Sequence, residues 1–325
     1  MNTIRTTPFP RSWKRFRNRL SSPPTGSSRG SGLKRLPYYP GCTLHTKAKS
    51  LDEVARKVAL RLGIELVEMP DWTCCGAIYS TNTDDIASQL GPVRNLCRAS
   101  RLGDRLVTLC AACYNVLKRA RVALEDEKDE RTGRRLLDYI EEEYRPGLRV
   151  VHYLELLRDD IGWTEIRARA GRSLSGLRVA SYYGCLMSRP HAAMELGDPT
   201  DPRILDDLMA AIGAEPLRFD FKTKCCGGYL VLTRREVAEN CARRVVENAR
   251  ESGAEVMTTS CPLCHYNIDA LQHDIAAREK AFKPIPILYF PKLVGLALGV
   301  PAAELALDYG KIDPRPALAA RGLLD

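Results

Sequence analysis

The sequence predicts an α/β protein of two pseudo-symmetric, Rossmann-like halves, each a small parallel sheet flanked by helices, behind a disordered basic N-terminal extension. Three observations predict it. One set of landmarks occurs twice in the same order, and short apolar runs alternate with helical periodicities between them. The length of 325 residues suits about two domains at roughly 150 residues each.

The first pass through the landmarks reads Tyr38-Tyr39-Pro40-Gly41-Cys42, Cys74-Cys75-Gly76, Cys110-Ala111-Ala112-Cys113 and Val151-His152-Tyr153-Leu154. The second reads Tyr182-Tyr183-Gly184-Cys185, Cys225-Cys226-Gly227-Gly228, Cys261-Pro262-Leu263-Cys264 and Ile287-Leu288-Tyr289-Phe290. The step from Cys75 to Cys110 and that from Cys226 to Cys261 are both 35 residues (110 − 75 and 261 − 226). Duplication explains that equality and chance does not.

Residues 1–35 form the basic extension, rich in Arg, Ser, Pro and Gly without a sustained apolar period. A mobile tail is expected; the same composition also suits a transit peptide or a start assigned too far upstream. The first cysteine-rich domain is expected over 36–165. Its strands are read at Leu36 to Tyr39, Ile64 to Met69 and Leu106 to Leu109, where short apolar runs end at landmarks. Leu51, Val54, Ala55, Val58, Ala59 and Leu62 recur at helical spacing, in a helix opened by Ser50 and closed by Gly63. A polar, Arg-rich linker is expected from about Asp159 to Ser175, and the second cysteine-rich domain over 176–300. Its strands are read at Leu177 to Tyr183, Leu217 to Phe219 and Val256 to Thr259, with a helix at Ile204, Leu205, Leu208, Met209 and Ile212. The run Ile285 to Val300 is broken by Pro286, Pro291 and Lys292 and is too short to cross a bilayer. It reads as a buried strand leading into a helix. Residues 301–325 are expected as a C-terminal tail. Alternation of this kind implies a parallel sheet in each half, with sites at the carboxyl ends of the strands.

Apolar residues make up 45% and charged residues 27%, the mix of a soluble globular protein. The formal charge of +9 lies in the extension, whose nine basic residues leave 49 − 9 = 40 to face 40 acidic ones in the body. A neutral body is not a phosphate-binding surface, so nucleic acid is excluded as the main partner. Disulfide scaffolds are small and secreted, whereas this chain opens on no apolar signal segment; its twelve cysteines suit metal ligation in a reducing compartment, the cytoplasm.

Each half offers five cysteines in one order. Tetrahedral zinc takes four ligands and a cubane 4Fe-4S cluster takes four thiolates, so five suggest an iron–sulfur assembly with extra or bridging coordination. Zinc in one half stays open as an alternative. Gly76 and Gly227 are expected to let the backbone approach a bulky cluster and turn at positive φ. Cys97 lies 22 residues after Cys75 while Cys241 lies 15 after Cys226. The two do not align in the repeat and are read as core residues of helices. His265 and His45, beside the cysteines, are read as hydrogen-bonding supports or proton donors. Lys222, Lys224 and Arg189 flank the second set and either steer an anionic thiol or are solvated; His152, His191 and His273 carry no assigned role. The chain has no Gly-x-Gly-x-x-Gly fingerprint and no ferredoxin-type cysteine run, so electrons are expected from a partner.

The doubled Cys, Cys-Cys-Gly, Cys-x-x-Cys arrangement resembles the CCG cysteine-rich domain of the heterodisulfide reductase B-subunit family, over about residues 36 to 295. Tyr-Tyr-Pro-Gly-Cys-Thr-Leu at 38 to 44 and Ser-Cys-Pro-Leu-Cys-His-Tyr-Asn at 260 to 267 are similar to that family's wording. The resemblance implies a noncubane 4Fe-4S cluster held, with catalytic function, by Cys42, Cys74, Cys75, Cys110 and Cys113. It implies a second held by Cys185, Cys225, Cys226, Cys261 and Cys264, with a disulfide reduced, or formed, between the two. It also implies a ferredoxin-like C subunit and a flavin-bearing A subunit as partners. Electron-transfer or anchoring subunits of succinate- and glycolate-type dehydrogenases share the domain, often with one motif eroded, and supply the alternative reading. All ten positions are filled here.

Overall fold

The structure, a computed structural model, describes residues 33–77, 86–127 and 129–324. The basic extension expected over 1–35 lies outside the described residues up to position 32. Its last members, Lys34 and Arg35, belong to the first strand, where Lys34 pairs with Asp160 and Arg35 reaches Glu65 at 2.9 Å.

Four strands form the first sheet: β1 (Lys34–Tyr39), β2 (Ile64–Glu68), β3 (Arg105–Thr108) and β4 (Arg149–His152), all parallel in the order β2-β1-β3-β4. The second sheet repeats that order as β6-β5-β7-β8, from β5 (Arg178–Tyr182), β6 (Glu215–Leu217), β7 (Val256–Thr259) and β8 (Ile287–Tyr289). Inner strands such as β7 are buried at every position, as parallel sheets covered on both faces require. The Rossmann-like α/β class expected from the alternation is therefore the one observed.

Register sharpens the repeat. Tyr39 pairs with Thr108 and Thr108 with His152 in the first sheet; Tyr182 pairs with Thr259 and Thr259 with Tyr289 in the second. Tyr39 thus corresponds to Tyr182, and His152 to Tyr289. The sequence match had set His152 against Leu288 and Tyr153 against Tyr289, one residue out of step. Hydrogen-bonded register, not residue identity, decides which face a side chain takes. β6 likewise lies two residues before the run Leu217 to Phe219 expected for it.

The first helix, Lys49–Arg61, buries Leu51, Val54, Ala55, Val58 and Ala59 on one face. It begins after Ala48 without a side-chain cap, so Ser50 does not open it, while Gly63 follows it at φ +83°. That face packs on the helix Phe290–Ala297. There Gly295 leaves room for Leu305 and Val58, which a Cβ would meet at 2.7 and 3.4 Å. The segment expected as a linker is ordered: Trp163–Arg169 is helical with Ile166 buried, and Asp160 binds Arg105 at 2.7 Å. Residues 301–324, expected as a tail, are folded in, with Leu305, Leu318 and Leu323 buried. One apolar core runs from Leu36 to Leu323 through both sheets. Among the described residues no helix is long and apolar enough to cross a membrane.

Candidate metal centre

The chain turns out of β1 and β5 through Gly41 and Gly184, at φ +74° and +64°, directly into Cys42 and Cys185. β3 and β7 end two residues before Cys110 and Cys261, which cap the helices Ala111–Glu125 and Pro262–Arg278. Cys113 and Cys264 sit in the first turns of those helices, and Cys74-Cys75 and Cys225-Cys226 lie on the loops that follow β2 and β6. All ten cysteines therefore gather beyond the carboxyl ends of strands, where parallel sheets build sites.

In each half the five sulfurs form one continuous row. Cys42 meets Cys74 at 3.6 Å and Cys75 meets Cys113 at 3.3 Å; Cys74 is hydrogen-bonded to Cys75, and Cys113 to Cys110. The second row runs in the same order, Cys185 to Cys225 to Cys226 to Cys264 to Cys261. Cys42, Cys74 and Cys225 are exposed and Cys185 is half-buried, while Cys75, Cys110, Cys113, Cys226, Cys261 and Cys264 are buried.

The glycines behind the rows leave no space. A Cβ on Gly41 would stand 2.8 Å from the Cys113 sulfur, and one on Gly184 would stand 2.8 Å from the Cys264 sulfur. The close approach to sulfur expected of Gly76 and Gly227 belongs instead to Gly41 and Gly184. Gly76 and Gly227 turn the chain at φ +66° and +92°, and Gly227 packs on Ala238, which a Cβ would meet at 2.6 Å. Tyr39 and Tyr182 close the same side, their hydroxyls donating to Thr73 O at 2.8 Å and Lys224 O at 2.6 Å. Both residues accepting there immediately precede the Cys-Cys pairs.

The rows are electrostatically incomplete without a cation. Thiol donors pull sulfurs down in both rows: Cys113 and Cys74 act on Cys75, Cys185 and Cys226 on Cys225, and Cys264 on Cys261. Neighbouring sulfurs and burial push Cys113 and Cys264 well up. Five adjacent sulfurs can all be thiolates only when bound cations offset their charge. Among the described residues, no three His, Cys, Asp or Glu side chains are arranged to hold a single metal ion. An all-sulfur, five-member donor set walled by glycine and tyrosine fits an iron–sulfur cluster better than one tetrahedral ion.

The two rows meet. Hydrogen bonds from the Cys264 thiol, and from the backbone N–H groups of Cys264, Leu263 and Ala112, hold Cys261 below the ordinary thiol range; Ala112 belongs to the other half. Burial, then Cys261 on one side and Cys110, Cys75 and Cys113 on the other, push the Tyr229 hydroxyl up. Tyr229 therefore stands within electrostatic reach of both rows. Asn115, two residues after Cys113, donates across to Leu186 O at 2.8 Å and Arg189 O at 2.5 Å, fixing the loop that follows Cys185. Sequence reasoning missed Tyr229 and Asn115; their adjacency to the cysteine motifs was the signal at hand.

The remaining candidates separate. Cys97 is buried in the helix Ile86–Ser100 beside Glu142, with burial pushing its thiol up to about 12. Cys241 lies in the helix Arg235–Glu251, within electrostatic reach of Cys225. His45 turns away to Glu68 at 3.0 Å and to the Trp72 ring. His265 is buried against the Tyr289 ring at 4.1 Å between centroids, and burial pushes its pKa down to about 3. An enclosed imidazole stacked on Tyr289 supports its neighbours. Lys222 is buried between Asp206 at 2.9 Å and Asp201 at 2.6 Å, so it steers nothing. Lys224 and Arg189 are exposed, as are His191 and His273, while His152 is buried. A cleft lined by Pro70, Trp72, Arg98 and Glu142 contains none of the cysteines.

The model of the cysteine-rich CCG domain matches the chain twice, over residues 36–118 and 179–269. The chain is 31% identical over 281 residues to the membrane anchor subunit of the 8-methylmenaquinol:fumarate reductase of Wolinella succinogenes, covering 86% of this chain and 98% of that one. It is 26% identical over 284 residues to the B subunit of the ferredoxin/F(420)H(2)-dependent CoB-CoM heterodisulfide reductase of Methanosarcina acetivorans, covering 86% and 94%. A protein of Archaeoglobus profundus, named as like the B subunit of heterodisulfide reductase, is 26% identical over 272 residues, covering 82% and 91%. Among solved structures, a hypothetical protein from Helicobacter pylori shares the fold with a TM-score of 0.67 at 13% identity; the match takes in 86% of this chain and 52% of that one.

Proposed function

The chain belongs to the family of the cysteine-rich CCG domain, which it carries twice, and from that premise we propose that it is the iron–sulfur catalytic subunit of a heterodisulfide reductase-like complex. In this reading it is an oxidoreductase that reduces, or in reverse forms, a disulfide or related sulfur compound at two noncubane 4Fe-4S clusters. The observation that carries the reading is the meeting of two complete sulfur rows at Cys261 and the Ala112 N–H of the opposite half. Cys42, Cys74, Cys75, Cys110 and Cys113 would hold one cluster, and Cys185, Cys225, Cys226, Cys261 and Cys264 the other. Bound there, such clusters supply single electrons and iron sites with affinity for sulfur.

The chain's own residues do the rest. Gly41 and Gly184 admit the bulk, Tyr39 and Tyr182 wall its back, and the N-termini of two long helices favour negative charge at Cys110 and Cys261. Exposed Cys42, Cys74 and Cys225 mark the side open to a thiol or disulfide. Electrons would come from a ferredoxin-like C subunit fed by a flavin-bearing A subunit, in the cytoplasm. Relatives named as heterodisulfide reductase subunits support such partners.

The test is anaerobic analysis of iron, acid-labile sulfide and zinc on the full chain. About eight irons and no zinc per chain, four for each of two clusters, is the expected result. About four irons with one zinc would remove the paired mechanism. A second reading is favoured by one observation: the relative at 31% identity is named as a membrane anchor subunit of a fumarate reductase. As an electron-transfer or anchoring subunit of a succinate- or glycolate-type dehydrogenase, the chain would be isolated with a flavoprotein dehydrogenase and oxidised by quinone, without turning over any disulfide.

A further inference from the structure

The two rows correspond cysteine for cysteine but not donor for donor. We propose that Asn267 is a positioning residue whose amide donates an N–H···S hydrogen bond to Cys226, making the second site the more easily reduced of the two. The inference rests on the reading that both cysteine rows hold iron–sulfur clusters.

Asn267 is fully buried in the helix Pro262–Arg278, three residues after Cys264. Its Nδ2 lies 2.7 Å from Gly228 O, 3.4 Å from Cys226 O and 3.6 Å from Cys226 Sγ. Two carbonyl oxygens on that side fix the orientation of the amide, because its own oxygen turned toward them would find no donor. Asn267 Oδ1 is buried without a partner. The fold thus leaves an acceptor unsatisfied while holding the nitrogen against Cys226. Apolar packing alone gives no reason for an asparagine here.

In the first half the corresponding position, three residues after Cys113, is Val116, a buried side chain with no donor. Asn115, one residue earlier, directs its amide to Leu186 and Arg189 rather than to Cys75. The backbone donors to these two cysteines match. Cys75 and Cys226 each accept a backbone N–H two residues on, from Ala77 and Gly228. Tyr39 also lies against Cys75, yet its one hydroxyl proton goes to Thr73 O, as that of Tyr182 goes to Lys224 O.

Reduction adds negative charge to a cluster and its thiolates. A donor aimed at a ligand sulfur stabilises the added charge, so the potential rises with each such bond. The second site, with one side-chain donor more, takes an arriving electron first.

The experiment is a reductive titration of the full chain with dithionite under anaerobic conditions, followed by electron paramagnetic resonance, with iron measured on every sample. The wild type is expected to show two separate steps. Asn267→Leu, alike in its branching at Cγ, is expected to lower the upper step by roughly tenfold in its equilibrium constant, about 59 mV for one electron, and to leave the lower step in place. Val116→Asn is expected to raise the lower step, and it decides the matter if Asn267→Leu loses iron. A single common step in the wild type, or iron retained with neither variant moving a step, overturns the role of Asn267 alone. A wild-type chain that binds no iron overturns the reading of the site as well.

Discussion

Behind each sulfur row a single hydrogen atom is all that fits. Gly184 combines a positive φ of +64° with a Cβ direction that ends 2.8 Å from the Cys264 sulfur, so an added methyl meets both backbone strain of roughly 1–2 kcal/mol and that sulfur. Cys97 is the opposite case, a buried thiol in a helix beside Glu142. Gly184→Ala is therefore expected to lower the iron content of the chain toward half while its far-ultraviolet circular dichroism persists. Cys97→Ala should leave iron unchanged and lower stability to denaturant by about 1 kcal/mol, the scale of a small buried deletion. Iron loss in Cys97→Ala, or full iron in Gly184→Ala, would contradict this division of the cysteines. Such roles follow from what each atom touches, which is why Gly76 and Gly41, alike in composition, differ in function.

Where β4 ends, one histidine joins strand to helix. His152 Nε2 lies 2.9 Å from Leu109 O, and Nδ1 accepts from the Leu154 N–H at 3.1 Å; Glu155 in turn accepts from the His152 N–H at 2.8 Å. This capping box on the helix Tyr153–Leu156 is satisfied by the neutral ring protonated at Nε2, because a second proton on Nδ1 would face the Leu154 N–H. Burial pushes its pKa down to about 3, below the ordinary value near 6.5 of the unfolded chain. The unfolded state therefore takes up the proton first, and stability is full above about pH 6.5 and lost as pH falls toward 3. Between pH 6.5 and 5 this one ring should remove on the order of 2 kcal/mol. His152→Asn retains an acceptor for the cap and has no such proton, so its urea midpoint should fall less over that interval than the wild type's. Equal falls in the two proteins would show that the ring does not titrate in this way. The rest of the element pattern follows local chemistry: the apolar period of Lys49–Arg61 and the turn at Gly63 stand as the sequence implies. The ordered helix Trp163–Arg169 was hidden by its polar composition, since Ile166 is its one buried residue.

At the scale of the molecule the halves share one core, and the last segment helps to close it. Leu305, Leu307, Leu318 and Leu323 are all buried, and Lys292 in the helix Phe290–Ala297 holds Ala306 O at 2.5 Å. Four buried leucines at about 1.5–3 kcal/mol each rival the whole margin of about 5–15 kcal/mol by which a domain is stable. A chain ending at Val300 is expected to lose cooperative thermal unfolding, and an unchanged melting temperature would show the segment to be dispensable. The sequence by itself determined the α/β class, the duplication and the ten cysteine positions, because alternation, repeat spacing and adjacent motifs are local along the chain. Tertiary structure alone decided the one-residue register between the halves, the burial of Lys222 and His265, the closure of the C-terminal segment and the meeting of the two rows. It also decided that Asn267 faces Cys226 and Asn115 crosses to Leu186. Contacts between residues 41 or 71 positions apart leave no period in the sequence and arise only when strand pairing and core packing fix both ends.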